Sequence, residues 1–201
     1  MRHTLVIFLS GSVLAMSACA KHDNANNMMA DNGMASDNGM MADNGMMANN
    51  AMAANSMNPA AMTAQGFANA AAASDHFEIE SSKLAKAQGQ SSAVKSFADK
   101  MISAHTASTA KLKGILGGMS PAMTADDTLS PAQQQSLDSL KGMNGAAFDT
   151  AYAAAQVNAH QMTLDALKGY AASGDNAQIK GFASEMIPTV TAHLNMAKAL
   201  K

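Results

Sequence analysis

Val94-Lys95-Ser96-Phe97-Ala98-Asp99-Lys100-Met101-Ile102-Ser103-Ala104-His105 sets Val94, Phe97, Ala98, Met101 and His105 at steps of three and four, the spacing of one face of an α-helix. The stripe continues through Leu112 and Ile115 to Gly117-Gly118, and Ser91 or Ser92 can cap its start. Upstream, a helix over about 63–88 ends at Gly89. Downstream, a third spans about 145–172 with Phe148, Tyr152, Ala155, Ala159, Met162, Ala166 and Tyr170 on one side. A fourth starts at Asp175, with Gln178 in capping-box position, and carries Ile179, Phe182, Ala183, Met186, Ile187, Val190 and Leu194. Four long amphipathic helices predict a helical bundle.

Composition agrees. The 201 residues include 44 Ala and 19 Met but only five Val and six Ile, too few β-branched apolar side chains for a sheet core. Lys and Arg number 13 against 15 Asp and Glu, which leaves no basic excess for nucleic-acid phosphates. One cysteine excludes an internal disulfide framework and a Cys-rich zinc site. The connection over about 117–144 holds a short helix announced by Ser130-Pro131, with Gln133 placed for a capping box. A 25-residue helix is about 38 Å long, and roughly a dozen extended residues span that distance. The connection is more than long enough for a crossover that sets helices two and three parallel, and it also allows a simple up-down bundle.

The N-terminal third reads differently. Arg2 and His3 precede an apolar run over 5–16 that is short for a membrane span and has the layout of an export signal. The run ends in Leu14-Ala15-Met16-Ser17-Ala18-Cys19, which resembles the lipobox of bacterial lipoproteins, with Met16 in place of the usual Leu. That resemblance implies a signal peptide over 1–18, lipidation of Cys19 and a stable anchor made of more than one acyl chain. Ala20 in place of Asp implies the outer membrane, with the protein on its periplasmic face. Residues 21–65 hold ten Met and ten Asn but no aromatic, Leu, Ile or Val. Met28, Met34, Met40, Met46 and Met52 keep a period of six, which is neither helical nor strand-like. The linker over 19–65 is therefore expected to be a disordered tether with a reach of roughly 35–40 Å. Its thioethers are soft donors that suit Cu(I), although loose hexads impose no ligand geometry.

Within the bundle domain, 66–201, Glu78 lies on the stripe of Phe67, Ala71, Ser74 and Ala85. His105 and His193 lie on the stripes of helices two and four, and His160 lies toward the edge of helix three. With a crossover these four converge near mid-bundle, at about 12–22 Å from one end. A Glu-His3 set suits zinc, iron or copper, whereas a histidine on a core stripe is also a common packing residue. The residues three before the histidines are Ile102, Val157 and Val190, so the Glu-x-x-His pairs of a bundle di-iron site are missing. Tyr152 and Pro188 are supporting candidates. Pro188 removes a backbone hydrogen bond to Ser184 and predicts a kink one turn before His193. No nucleophile elbow, Gly-rich phosphate loop or Cys nucleophile is present.

The segments Phe77-Glu78-Ile79-x-Ser81-Ser82-x-Leu84-Ala85, Val94-Lys95-x-Phe97-Ala98-x-x-Met101-Ile102-x-x-His105, Phe148-Asp149-x-x-Tyr152-x-x-x-Gln156-Val157-x-x-His160 and Ile187-Pro188-Thr189-Val190-x-x-His193-Leu194 resemble the bacterial family catalogued as domain of unknown function 4142. The resemblance implies a ferritin-like bundle in an exported or lipid-anchored protein, and no mechanism. The protein expected from the sequence is an outer-membrane lipoprotein with a binding or envelope-support bundle, more a binding module than an enzyme. The alternative is a metal-binding protein using the Glu/His cluster. The membrane through Cys19 is the one partner expected.

Overall fold

The computed structural model of the chain describes residues 62–200. The leader, Cys19 and the Met/Asn tract through residue 61 lie outside the described residues. Five helices are present among the described residues: α1 (Ala64–Gln88), α2 (Ser92–Gly117), α3 (Pro131–Lys141), α4 (Gly145–Ser173) and α5 (Ala177–Lys198). Four are the long helices of the bundle, and α3 is the short one at Ser130-Pro131. Its capping box is formed: Ser130 Oγ accepts from the Gln133 amide, and Gln133 Oε1 accepts from the Ser130 amide. Thr63 and Ser91 cap α1 and α2. The cap of α5 is Asn176, which accepts from the Gln178 and Ile179 amides, and not Asp175. Asp175 is engaged elsewhere, accepting the Tyr170 hydroxyl at 2.7 Å.

The long connection makes a crossover. Ser82 meets Tyr152, Ser74 meets Thr163 and Phe67 stacks on Tyr170, so α1 and α4 are antiparallel. Lys111 pairs with Glu185 and His105 packs beside His193, so α2 and α5 are antiparallel too. Short turns reverse the chain between α1 and α2 and between α4 and α5, which leaves α2 and α4 parallel. Each of these two packs against both α1 and α5 and stands diagonally across the core from the other. The returning strap is pinned to α1: Asn69 Oδ1 accepts from the Asp126 amide, and the side-chain amides of Gln65, Gln133 and Gln88 bond Thr124 O, Ala73 O and Lys141 O respectively, the last three crossing the chain between α1 and the strap.

The core is layered. At one end Phe67, Leu112, Leu116, Leu167, Tyr170, Ile179 and Phe182 form one apolar cluster. At the other, Ala85, Val94, Phe97, Met101, Phe148, Tyr152 and Ala197 form a second. Between them every long helix contributes buried polar groups: Ser74, Asp75, Glu78, Ser81 and Ser82 from α1, His105 from α2, Gln156 and His160 from α4, and His193 from α5. The inward face of α4 is also rotated from the stripe expected from its sequence. Gln156 and His160 are fully buried whereas Ala155 and Ala159 are only half-buried. Alanines all round α4 carry little periodic signal, and its inward phase follows Phe148, Tyr152, Leu164 and Tyr170 together with Gln156, which donates to Ser81 across the core.

The α1–α2 turn is held by α4. Asp149, 7 % exposed, accepts the amides of Gln90 and Ser91 at 3.1 and 2.8 Å. Replacing it by Ala leaves two backbone donors without their partner, at a cost of about 1–3 kcal/mol. Asp149→Ala is expected to lower the unfolding free energy by that amount, read as a lower urea midpoint with the slope unchanged, and a loss below about 0.5 kcal/mol would contradict the role given to this carboxylate.

Candidate metal centre

Three helices each deliver one imidazole to the polar layer. The ring centroids of His105 and His160, His105 and His193, and His160 and His193 are 5.6, 5.6 and 5.5 Å apart, a nearly equilateral triangle. One nitrogen from each ring lies within 4.8 Å of the other two. The residues are 5, 1 and 7 % exposed, and His105 Nε2, His160 Nε2 and His193 Nδ1 are buried without a hydrogen-bond partner. Such atoms are rare in folded interiors, because each forgoes its bond to water with nothing in exchange.

The opposite edges of two rings are anchored. His105 Nδ1–H donates to Asp75 Oδ1 at 2.8 Å, and Thr109 donates to the other Asp75 oxygen at 3.0 Å. His160 Nδ1–H donates to the Gln156 carbonyl one turn back, at 2.8 Å. With Nδ1 carrying the proton, the unpartnered Nε2 of each ring offers a lone pair whenever the ring is neutral. A carboxylate behind an imidazole is the arrangement that orients histidine ligands and raises their basicity.

The electrostatics keep two rings neutral. Burial, followed by the charge of His105, pushes His160 down to about 3 and His193 down to about 4. Burial also works against protonation of His105, but the Asp75 hydrogen bond and the charges of Glu78 and Asp75 outweigh it and raise its pKa. Burial drives Glu78 up to about 7, against the opposing pull of His105, and neither of its oxygens has a hydrogen-bond partner.

The residues singled out in the sequence are not all brought together. His105, His160 and His193 converge. Glu78 is buried but stands behind His160, with Oε1 3.5 Å from the Nδ1 that already donates to Gln156, and it is outside the three-nitrogen group. Since His160 is held neutral, that contact is not an ion pair. Tyr152 sits one layer away. Its hydroxyl bonds Ser82 at 2.8 Å, its ring packs edge-on to Phe97, and Phe97 packs edge-on to His160. Burial pushes its phenol above the ordinary range. Pro188 is exposed within an α5 that continues through it, and only its neighbours Thr189 and Val190 approach the histidines. Cys19 lies outside the described residues. Sequence reasoning missed Asp75 and Thr109. The available signal was helical spacing: Asp75 is three residues before Glu78, and Thr109 is four after His105.

The set fits a transition-metal ion. Nitrogens sharing an ion at about 2.0–2.1 Å are about 3.3–3.6 Å apart, so modest side-chain rotations close the observed spread. Imidazole serves zinc, copper, iron and nickel.

Glu78 generates a pH prediction. Burial pushes its carboxyl from the ordinary value of 4.5, which the unfolded chain keeps, up to about 7 in the folded protein. Below 4.5 it is neutral in both states and costs nothing. As pH rises to about 7 only the unfolded chain ionises, so its contribution falls by on the order of 3 kcal/mol at about 1.4 per unit. Glu78→Gln abolishes this titration. Urea unfolding from pH 4 to 8 should therefore show the variant gaining on the native chain across that window, and a pH-independent difference would refute the burial penalty.

No curated protein matches the sequence. Among solved structures, CopM in the Cu(II)-bound form has a similar fold, with a TM-score of 0.56 and 16 % identity over 69 % of this chain and 95 % of that chain. The family model described as domain of unknown function (DUF4142) matches residues 48–200, a span that includes all five helices. By that match, together with the helical bundle that carries the matched residues, the chain belongs to the DUF4142 family.

Proposed function

We propose that the bundle binds copper through His105, His160 and His193, in a protein tethered by a lipidated Cys19 to the periplasmic face of the outer membrane. The observation that carries the copper reading is the set of three buried imidazole nitrogens that face one another without partners. A bundle serving only as support has no use for them, since each unmet buried acceptor costs about 1–3 kcal/mol. Copper is favoured among divalent ions by the order of affinities for nitrogen donors. The likeness of fold to CopM, whose structure holds Cu(II), supports the same choice. The address rests on the lipobox resemblance of residues 14–19.

In this reading the chain's own residues do the positioning. Asp75 and the Gln156 carbonyl hold the Nδ1 edges of His105 and His160, and the two apolar clusters confine the three rings. Bound copper supplies a positive centre able to accept nitrogen lone pairs. His160 and His193 are already neutral at envelope pH, so proton competition falls chiefly on His105, and affinity weakens as pH drops below its raised pKa.

The test is Cu(II) uptake by the mature chain purified without chelator, beside a His105→Ala/His160→Ala/His193→Ala variant. The native chain should retain about one equivalent more copper than the triple variant, and Asp75→Asn should bind about 10–100-fold more weakly. Equal retention by native and triple-variant proteins would eliminate the copper reading. The anchor is tested separately by Cys19→Ala, which should abolish incorporation of labelled fatty acid into the chain; unchanged incorporation would refute lipidation at Cys19.

A further inference from the structure

A cleft reaches the triad from outside. It holds about 40 Å³ of space open to water, and its walls include Asp75 of α1, Ala104 and Ser108 of α2, and Phe182 and Thr189 of α5. His105 and His193 line it, whereas His160 does not. The small side chains at Ala104 and Ser108, one turn apart on α2, leave this opening where a larger pair would fill it. One water needs about 10–15 Å³ in this measure, so the cleft takes a ligand of about three heavy atoms.

No fourth carboxylate, imidazole or thiol joins the three-nitrogen group among the described residues. Asp75 is committed to His105 and Thr109, and Glu78 stands behind His160. Three protein ligands plus access from outside is the layout of an ion with an exchangeable position, whereas a structural site is closed by a fourth side chain. As ligands the three imidazoles would be neutral, and the single Asp75 carboxylate behind His105 leaves a divalent ion with net positive charge in water-poor surroundings, where an anionic donor is favoured.

We infer that a metal ion at the triad keeps one coordination position turned toward this cleft, and that the position takes a small inorganic anion. The inference rests on the copper reading above and adds the ligand class of the same site. Anion binding there would be a ligand substitution, the anion's lone pair replacing that of a water, with no change of oxidation state.

Azide is the probe. Added to the Cu(II)-loaded mature chain, it should produce a saturable ligand-to-metal charge-transfer band and a changed electron paramagnetic resonance spectrum, with the copper still bound after gel filtration. The band should be missing in the triple His→Ala variant. Ser108→Leu, which crowds the cleft without touching a ligand, should keep copper and weaken azide by about tenfold or more. Thr189→Leu, on the facing helix, provides the same comparison should the first variant fail to fold. Full copper retention with no azide response in the native chain would overturn the open position while leaving the copper reading intact. Absence of triad-bound copper would overturn both. A response that appears only in Met186→Leu would assign the position to the Met186 thioether, which also lines the cleft, and would overturn the inference as well. Copper stripped by azide would do the same.

Discussion

Three imidazole nitrogens facing one another without hydrogen bonds are the costly element around which this bundle is arranged. Each forgoes water, and the rings stay in place because their other edges are held, by Asp75 for His105 and by the Gln156 carbonyl for His160. The apolar clusters on either side supply the favourable burial that offsets the polar layer, and they clamp it between close-packed walls. A core of this kind is less stable than an all-apolar one of equal size, and the sacrifice is confined to one level of the bundle.

Topology distributes the parts. The crossover between α2 and α4 places these helices parallel and diagonal, so His105 and His160 approach across the core while His193 comes from α5, which touches both. The remaining helix, α1, carries the two buried carboxylates. Asp75 and Glu78 lie one helical turn apart but serve different ends: one bonds an imidazole edge, and the other is left unpaired and driven toward its neutral form by burial. The strap pinned along the outside of α1 secures the helix that bears them.

Much of this was legible in the residues. Three-and-four spacing located the long helices, Ser130-Pro131 with Gln133 located the short one, and the three histidines stood at inward or near-inward positions. The failures have physical causes. Asn176 and Asp175 are both good caps, and only the demand of Tyr170 for an acceptor assigns Asp175 elsewhere. In α4 the apolar signal is spread round the helix by alanine, so the inward phase followed Gln156 and His160 and not Ala155 and Ala159. Asp75 looked like an ordinary helix carboxylate because its partner, His105, is 30 residues away.

By itself the sequence determined the helices, most of their caps, a connection long enough to cross the bundle, and a set of inward histidines, because helical periodicity and capping are decided within a few neighbouring residues. Only the tertiary structure decided that α2 and α4 run parallel, that Asp75 backs His105, that Glu78 stands behind His160 and not among the open nitrogens, and that a cleft reaches two of the three rings. Those outcomes depend on which faces pack and which polar groups lose water together, and contacts between residues tens of positions apart have no counterpart in local spacing.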